Sequence, residues 1–243
     1  MNNRHRSEDS APIRVQTKVV DALSRLTCVR RIVSFGATAV GCHDEWSDVD
    51  LIVVCAERDS AWLCSSVIRE SLPVAFYRPF TAREQPDGRY WFKDESPLNR
   101  LDVSFETDQT FDAILSNSAK DGFDIITRDE YVAVRGIEPR QATAEITRCQ
   151  PVNISQEETE LGRLLYRALE AVKFALRGNL NWKWNREACL QELQTALAKS
   201  SRQNFAGSDL RGLAEKCFEI NRELERKLRQ SRAPDLAWLI RRI

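Results

Sequence analysis

The chain has 243 residues, 42% of them hydrophobic, and its 36 basic residues balance 36 acidic residues. This length and composition suffice for one large domain or two small ones with packed cores, and the zero formal net charge speaks against a nucleic acid as partner. No apolar run is long enough for a membrane span, and residues 1–12 lack the apolar core of a signal peptide. We therefore predict a cytoplasmic protein without a membrane partner, in which residues 1–12 form a flexible tail.

Seven cysteines are scattered along the chain without a Cys-x-x-Cys pair. An odd and irregularly spaced set favours reduced thiols in a reducing compartment over a framework of disulfides. Because the sequence has only two histidines, a structural zinc site is not expected.

Hydrophobic periodicity predicts that helices and strands alternate over the first half of the chain. Predicted helices cover 13–26, 59–71 and 109–118, and predicted strands cover 32–35, 51–54, 74–77, 100–106 and 123–126. Between them, we predict a small-residue turn at 37–41 and a loop at 81–89. The alternation predicts a mixed sheet with flanking helices, in a domain over 13–140.

Beyond a connecting segment at 135–153, the pattern changes to long amphipathic helices. Ser155, followed by Glu158 three residues later, is a capping box that marks the start of the first of them. The predicted helices cover 155–176, 186–200, 208–230 and 234–242. The predicted fold class is therefore α/β (α+β), in which the mixed sheet is followed by a helical bundle over 150–243.

One stretch of the first domain carries the most specific chemical pattern in the sequence. A short apolar run ends at Gly36, and after a polar connection Ser47-Asp48-Val49-Asp50 leads into a second apolar run. Successive side chains of a strand point to opposite faces, so Asp48 and Asp50 project from the same face. Two carboxylates held this close repel each other unless a cation lies between them, and oxygen ligands suit Mg²⁺. A glycine nearby lets the backbone approach a phosphate closely.

This pattern resembles the nucleotidyltransferase superfamily, the DNA-polymerase-β-like fold that includes enzymes modifying aminoglycoside and lincosamide antibiotics. The family has a strand, a glycine usually followed by serine or glycine, a spacer of similar length, and Ser-Asp-x-Asp or Asp-x-Asp before an apolar strand. The matching residues are Gly36, Ser47, Asp48 and Asp50. The chain departs from the pattern at Ala37, which lacks the hydroxyl that often touches a phosphate, and Thr38 is the candidate to supply one instead.

The resemblance implies a third carboxylate on a neighbouring strand, and the strand predicted at 100–106 offers two candidates. Asp102 and Glu106 share its polar face but lie four residues apart, roughly 13 Å, so only one can join the same metal site. We choose Asp102, because the family's third acid usually lies inside an apolar strand, and keep Glu106 in reserve. By resemblance, Asp48, Asp50 and Asp102 are the catalytic residues and the ligands of two Mg²⁺ ions. Asp102, Glu106 or another acid takes the acceptor's proton.

The resemblance also implies how the nucleotide is held. The expected nucleotide-binding residues are Gly36, Ala37, Thr38, Ser47 and Lys173. Lys173 lies in the helix predicted at 155–176, and in the family a lysine of the helical domain commonly meets the triphosphate; Arg177 is the next candidate. The alternative for Lys173 is a surface ion pair with Glu170, three residues earlier, worth about 0.2–0.5 kcal/mol.

The reaction implied is the transfer of a nucleoside monophosphate, AMP from ATP, to a hydroxyl of a small molecule, with release of pyrophosphate. Acids at Glu84, Asp87, Asp94 and Glu95 would suit a cationic acceptor such as an aminoglycoside, which would make this an antibiotic-resistance enzyme. Two alternatives stay open. One is a nucleotidyltransferase that acts on RNA or protein, including the toxin–antitoxin type, and the other is a nucleotide-binding module without catalysis. The intact aspartate pair speaks against the module, and the alanine after the glycine speaks slightly for it.

Overall fold

The computed structural model describes residues 10–80, 86–117, 122–135, 154–179, 183–200 and 208–230. The chain divides into two compact units, Met1–Asn153 and Ile154–Ile243. The first unit is built on a six-stranded mixed sheet with flanking helices, and the described residues of the second unit form long helices. This architecture confirms the predicted mixed α/β class.

The sheet has the strand order β3-β4-β5-β2-β1-β6. The strands are β1 Val29–Phe35, β2 Val49–Cys55, β3 Val74–Pro79, β4 Gly88–Phe92, β5 Leu101–Thr107 and β6 Phe123–Thr127. β2 and β5 are parallel neighbours, whereas the other neighbouring pairs are antiparallel. Every residue of β2 is buried except Asp50, which is half-buried. A strand covered on both faces is expected to be apolar throughout. An acid at this one position is therefore not explained by packing of the strand.

The helices of the first unit pack beside the sheet and connect its strands. They are α1 Ala11–Ser24, α2 Gly36–Ala39, α3 Ser60–Ser71, α4 Asp108–Asn117 and α5 Arg128–Arg135. α1 buries Val15, Val19 and Leu23, which recur at helical spacing along one face. α1 also contacts α3, so these two helices lie together against the sheet.

Several predicted boundaries need correction. α1 begins at Ala11, so the last two residues of the predicted tail are helical, and a proline in the first turn suits this start. The small-residue turn is the short helix Gly36–Ala39, and a helix that was not predicted, Arg128–Arg135, follows β6 directly. β4 begins at Gly88, inside the predicted loop.

Close packing between β3 and β4 explains why β4 starts with a glycine. A Cβ at Gly88 would lie 2.5 Å from the backbone oxygen of Arg78 and 2.6 Å from the ring of Tyr77. The same glycine belongs to the turn signal Pro86-Asp87-Gly88, for which the loop was predicted to extend to residue 89, so the first two residues of β4 were assigned wrongly.

The second unit consists, in its described part, of three helices. They are α6 Gln156–Leu176, α7 Arg186–Lys199 and α8 Leu210–Gln230, and α6 contacts both of the others. The predicted capping box is confirmed, because Ser155 Oγ accepts from the Glu158 N–H at 3.1 Å and Glu158 Oε2 accepts from the Ser155 N–H at 3.1 Å. The helix predicted at 234–242 and the connection from 136 to 153 lie outside the described residues. None of the described helices is both long and apolar enough to cross a membrane.

Asp87 ties the segment before β4 to the middle of β5. Its Oδ1 accepts a hydrogen bond of 2.8 Å from the backbone N–H of Phe105. Burial raises the pKa of this carboxyl above its usual value of 3.8, although the hydrogen bond from Phe105 opposes the shift. The folded protein therefore binds this proton more tightly than the unfolded chain does, so the group makes the free energy of unfolding fall as the pH rises above about 4.

We expect Asp87→Asn to remove that fall, because the amide keeps the Oδ1 acceptor and carries no charge. Asp87→Ala instead leaves the buried N–H of Phe105 unpaired and should lower the free energy of unfolding by about 1–2 kcal/mol across the pH range. Urea denaturation of the wild type and both variants between about pH 4 and pH 8 checks both effects. The same pH slope in Asp87→Asn and the wild type would contradict the assignment.

Candidate active site

The parallel pairing of β2 and β5 places two predicted acids directly opposite each other. Asp50 of β2 and Asp102 of β5 are register partners. The row continues to Arg89 of β4 on one side and to Phe35 of β1 on the other. Register partners share a face of the sheet, so these four side chains project in one line. The sheet itself therefore brings the carboxylates of Asp50 and Asp102 together.

Asp48 completes a cluster of three carboxylates, which we call the acid cluster. One oxygen from each of Asp48, Asp50 and Asp102 lies within 4.8 Å of the others, and all three residues are half-buried. Asp48 immediately precedes β2, so alternation along the strand puts its side chain on the face of Asp50. Three ionised carboxylates at this separation repel one another strongly, so the cluster requires compensating positive charge.

Two arginines supply part of that charge. Arg100 bridges two of the acids, with Nη2 2.6 Å from Asp48 Oδ2 and Nε 2.8 Å from Asp102 Oδ1. Arg89 Nε donates to the other oxygen of Asp102 at 3.1 Å. Only 5% of the Arg100 side chain is exposed, so solvent screens its ion pairs weakly. Within the described contacts, two guanidinium groups therefore face three carboxylates.

Gly36 follows β1 and lies against the acid cluster. Its φ of 69° falls in the left-handed region that favours glycine. A Cβ at this position would lie only 2.7 Å from Oδ2 of Asp50. The residue is exposed, so its backbone is open to a ligand beside the carboxylate. Glycine therefore reconciles this backbone conformation with the position of the Asp50 side chain.

Hydrogen bonds within the loop that precedes Asp48, and from Asn99 to this loop, fix its backbone. Ser47 Oγ donates to Asp44 Oδ1 at 2.8 Å and accepts from the backbone N–H of Asp44 at 3.0 Å. Asn99 Nδ2 donates to the carbonyl oxygens of Glu45 and Ser47, at 2.8 and 2.9 Å. Ser47 is buried, so the serine of the Ser-Asp-x-Asp pattern supports the position of Asp48. Its contact with a nucleotide stays a prediction.

The hydroxyl of Thr38 is engaged within the fold. Thr38 Oγ1 donates to the carbonyl oxygen of Phe35 and lies near Ser34 Oγ, each at 3.3 Å, and the residue is buried. These contacts anchor α2 to the end of β1. Ala37, in the same short helix, is half-buried. Phosphate contacts by Ala37 and Thr38 stay predictions.

The reserve acid Glu106 does not join the acid cluster, of which Asp102 is the member from β5. This result agrees with the four-residue spacing between the two acids on one strand. Glu84, considered for binding a cationic acceptor, lies outside the described residues.

Two other acids considered for the acceptor have partners inside the first unit. Glu95 is buried, and it forms ion pairs with Arg14 at 3.1 Å and with Lys18 at 3.4 Å. Asp87 accepts from a backbone N–H of β5, as described above. Asp94 is exposed. Of the described acids in this set, Asp94 therefore has the most accessible carboxylate.

Lys173 lies in α6 of the second unit and is only 2% exposed. Its Nζ is 3.9 Å from Oε1 of Glu170, whose side chain is 12% exposed. The ion pair considered from the sequence is therefore present, but its location on the surface is wrong. A buried ammonium requires close polar partners, and Glu170 of the same helix supplies one of them. Contact of Lys173 or Arg177 with a triphosphate stays a prediction.

Sequence analysis missed three residues that shape the site: Arg89, Asn99 and Arg100. A local signal existed for Arg100, because it stands two residues before Asp102 and so shares its face of the strand. No comparable signal existed for Arg89 or Asn99. Their contacts depend on the register between β4 and β5 and on a loop more than fifty residues away in sequence.

We expect Arg100→Gln to lower the free energy of unfolding by about 3 kcal/mol in metal-free buffer, because Asp48 and Asp102 lose their shared cation. Mg²⁺ should restore most of this loss, since an ion held by the acids replaces the missing charge and stabilises the folded state. Urea denaturation with and without MgCl₂ measures both effects.

Arg14→Gln is a matched control, because it also removes an arginine from a buried carboxylate, that of Glu95. Its loss of stability should not respond to Mg²⁺. An Arg100→Gln variant as stable as the wild type, or a loss that Mg²⁺ leaves unchanged, would show that Arg100 does not balance the charge of the acid cluster.

The donor set of the acid cluster fits a hard divalent cation. Asp48, Asp50 and Asp102 offer only carboxylate oxygens, the ligands that Mg²⁺ prefers. The three carboxylates outnumber the two described guanidinium groups that contact them. Across the described parts of the chain, no other set of three His, Cys, Asp or Glu side chains converges as closely.

Comparison with known proteins gives no family assignment. The chemistry of the site is therefore inferred from the arrangement of the acid cluster and of the residues around it. No protein-family model matches this chain, and no curated protein matches it.

Proposed function

We propose that this chain is a magnesium-dependent nucleotidyltransferase that transfers AMP from ATP to a hydroxyl group and releases pyrophosphate. The observation that carries the proposal is the convergence of Asp48, Asp50 and Asp102 at one end of two parallel strands, beside a glycine with positive φ. This juxtaposition adds to the resemblance of the sequence around Asp48 and Asp50 to the nucleotidyltransferase superfamily. A resemblance in one short motif is weak by itself, and a third acid next to the pair strengthens it.

The acid cluster would hold the magnesium through Asp48, Asp50 and Asp102. Magnesium bound there would neutralise phosphate charge and stabilise the charge that develops during transfer. Gly36 would let phosphate oxygens approach the backbone beside Asp50, where a side chain would block them. The nucleotide would therefore lie over the ends of β1 and β2.

In the transfer, the acceptor oxygen forms a bond to the α-phosphorus of ATP, and the bond from that phosphorus to the bridging oxygen of the leaving pyrophosphate breaks. The acceptor hydroxyl gives its proton to a base. Arg89 and Arg100 hold both oxygens of Asp102 by hydrogen bonds, so this carboxylate is oriented before any substrate binds. Such preorganisation is what a displacement at phosphorus requires of the protein.

The acceptor we propose is a small hydroxylated molecule of the aminoglycoside type. Of the described acids considered for a cationic acceptor, Asp87 and Glu95 have partners within the fold, and Asp94 is exposed. Among the described acids of this set, one exposed carboxylate, that of Asp94, is therefore accessible to a cationic acceptor. An acceptor screen should for this reason include neutral hydroxyl compounds.

A second candidate, a nucleotide-binding module without catalysis, is favoured by one observation. Both oxygens of Asp102 already accept hydrogen bonds from guanidinium groups, and Arg100 also holds Asp48. An ion-pair network of this kind can stabilise a fold without a metal. The two candidates differ in whether pyrophosphate is released.

Calorimetric titration with ATP, GTP, CTP and UTP, each with and without Mg²⁺, tests nucleotide binding. Pyrophosphate release with aminoglycosides, lincosamides, neutral polyols and short RNA as acceptors tests the transfer. We expect binding that requires Mg²⁺, and release that requires both ATP and one class of acceptor. A folded protein that binds no nucleotide, even with acceptors present, would rule out both candidates. Magnesium-dependent binding without release across the panel would favour the non-catalytic module.

A further inference from the structure

Asn99 stands shortly before β5 and contacts the loop that leads into Asp48. The residue is 2% exposed, and its Nδ2 donates to the carbonyl oxygens of Glu45 and Ser47, at 2.8 and 2.9 Å. Nδ2 carries two hydrogens, so each of the two carbonyl groups can accept one of them. The side chain of Asn99 thus uses both of its donors on this one loop, and one of the two carbonyls belongs to the residue directly before Asp48.

Arg100 holds the next part of the same segment. Its backbone carbonyl oxygen accepts from the N–H of Val49 at 2.9 Å, and its guanidinium group contacts Asp48 and Asp102. Two consecutive residues, 99 and 100, therefore hold residues 45–49, and we call these contacts the clamp. Asp102 follows the same two residues in the chain. The clamp therefore fixes the separation between the carboxylates of Asp48 and Asp102.

Further hydrogen bonds connect the residues of the loop to one another. Asp44 Oδ1 accepts from Ser47 Oγ at 2.8 Å and from the backbone N–H of Trp46 at 3.1 Å. The backbone N–H of Ser47 donates to the carbonyl oxygen of Asp44 at 3.1 Å. These bonds give the loop its internal shape, whereas the two bonds from Asn99 join the loop to the start of β5. Asn99 therefore helps to define where the loop lies relative to β5.

We propose that Asn99 is a positioning residue that gives the acid cluster selectivity for Mg²⁺ over Ca²⁺. Mg²⁺ requires nearly octahedral oxygen ligands at about 2.0–2.1 Å, whereas Ca²⁺ accepts ligands at about 2.3–2.6 Å in more variable arrangements. Carboxylates that are held at a fixed separation therefore favour the smaller ion. Asn99 acts through the backbone that leads to Asp48. The proposal rests on the proposed function, because it requires that the acid cluster binds a divalent cation.

Removal of the Asn99 side chain would let Asp48 move relative to Asp102. A looser set of carboxylates still suits Ca²⁺, which adapts to the arrangement of its ligands, but it suits Mg²⁺ less well. Residues that orient metal ligands indirectly change metal affinity by about 10–100-fold when they are replaced. In Asn99→Ala we therefore expect Mg²⁺ to bind about tenfold more weakly, with little change in the binding of Ca²⁺.

Calorimetric titration of the folded full chain with MgCl₂ and, separately, with CaCl₂ tests the proposal without any nucleotide. The quantity compared is the ratio of the Ca²⁺ dissociation constant to the Mg²⁺ dissociation constant. We expect this ratio to be about tenfold lower in Asn99→Ala than in the wild type. A loss of stability alone would weaken the binding of both ions to the same extent, and the ratio would stay unchanged.

Ser65→Ala is the matched control. It removes another buried side-chain hydrogen bond of the first unit, which joins Ser65 Oγ to Tyr90 Oη at 2.8 Å. This variant should lose stability and keep the wild-type ratio, because neither residue belongs to the clamp or the acid cluster. Ser47→Ala gives a second test if Asn99→Ala does not fold. It removes the hydrogen bonds between Ser47 Oγ and Asp44, so it should also lower the ratio.

The outcomes distinguish this inference from the proposed function. A wild type that binds neither ion would overturn both, because no metal site would exist. If the wild type binds Mg²⁺ and the folded variants of Asn99 and Ser47 keep its ratio, the role of Asn99 is overturned and the proposed transfer stands. An equal fall of the ratio in Ser65→Ala would also overturn that role. A lower ratio in Asn99→Ala, in a protein that releases no pyrophosphate with any acceptor, would support the role of Asn99 and refute the transfer.

Discussion

Replacing Asp50 with asparagine should abolish magnesium-dependent nucleotide binding and lower pyrophosphate release by about 10³-fold or more, while the fold persists. Asparagine keeps the size of the side chain but removes the charge opposite Asp102, its register partner. Since like charges directly opposite each other destabilise a sheet, the variant should be at least as stable as the wild type in metal-free buffer. Mg²⁺ should stabilise the wild type and not the variant, and urea denaturation measures this directly.

Two matched variants on β5 test whether activity depends on the carboxylates of the acid cluster or on negative charge anywhere on this strand. Asp102→Asn should reproduce the loss of release, whereas Glu106→Gln, four residues further along the strand, should keep both binding and release. Equal losses in the two variants would point to a diffuse electrostatic effect. An Asp50→Asn variant with full activity would remove the acid cluster from the mechanism.

The pairing of Asp48 with Asp50 was predictable because it depends on local geometry. Two residues separated by one position in an extended segment share a face in any register, so the sequence alone places their carboxylates together. The apolar residues on either side predict a buried strand, and β2 is one. Predictions of this kind succeed where the deciding interaction spans only a few residues.

The position of Asp102 beside Asp50 follows from the parallel register of β2 and β5, which no local pattern encodes. A shift by one residue would have turned the side chain to the other face of the sheet. The choice of Asp102 over Glu106 came from a family resemblance and not from the strand itself. The acid cluster contains Asp102 and not Glu106.

The contacts of the arginines with the acid cluster could not be predicted from the sequence. Arg89 meets Asp102 only because β4 lies antiparallel to β5, and β4 itself was not predicted as a strand. The two arginines therefore offset part of the negative charge of the three acids, whereas the sequence analysis had identified only the acids. The burial of Lys173 was missed for a related reason, because the residues of α6 that become buried depend on tertiary packing, which the sequence of the helix alone does not define.

Gly36→Ala should lower pyrophosphate release by about 10²-fold and the free energy of unfolding by about 1–2 kcal/mol. Alanine at a φ of 69° is strained, and its Cβ would lie 2.7 Å from Oδ2 of Asp50, so the carboxylate or the backbone must move. A displaced Asp50 no longer lies in line with Asp102, and Mg²⁺ should therefore stabilise the variant less than the wild type. A pyrophosphate-release assay with ATP and MgCl₂ measures the first effect, and urea denaturation with and without MgCl₂ measures the loss of stability and the response to Mg²⁺.

Alanine variants at two other glycines distinguish the effect of the close contact with Asp50 from the effect of backbone strain. Gly122→Ala should be neutral for release, because a Cβ at that position meets nothing within 4 Å. Gly178→Ala, at the end of α6 with a φ of 85°, should lose stability without losing the response to Mg²⁺. Equal losses of release in Gly36→Ala and Gly178→Ala would mean that strain alone lowers activity. Full release in Gly36→Ala would mean that the Asp50 carboxylate can move without harm to the transfer, and the glycine would then serve the fold and not the phosphates.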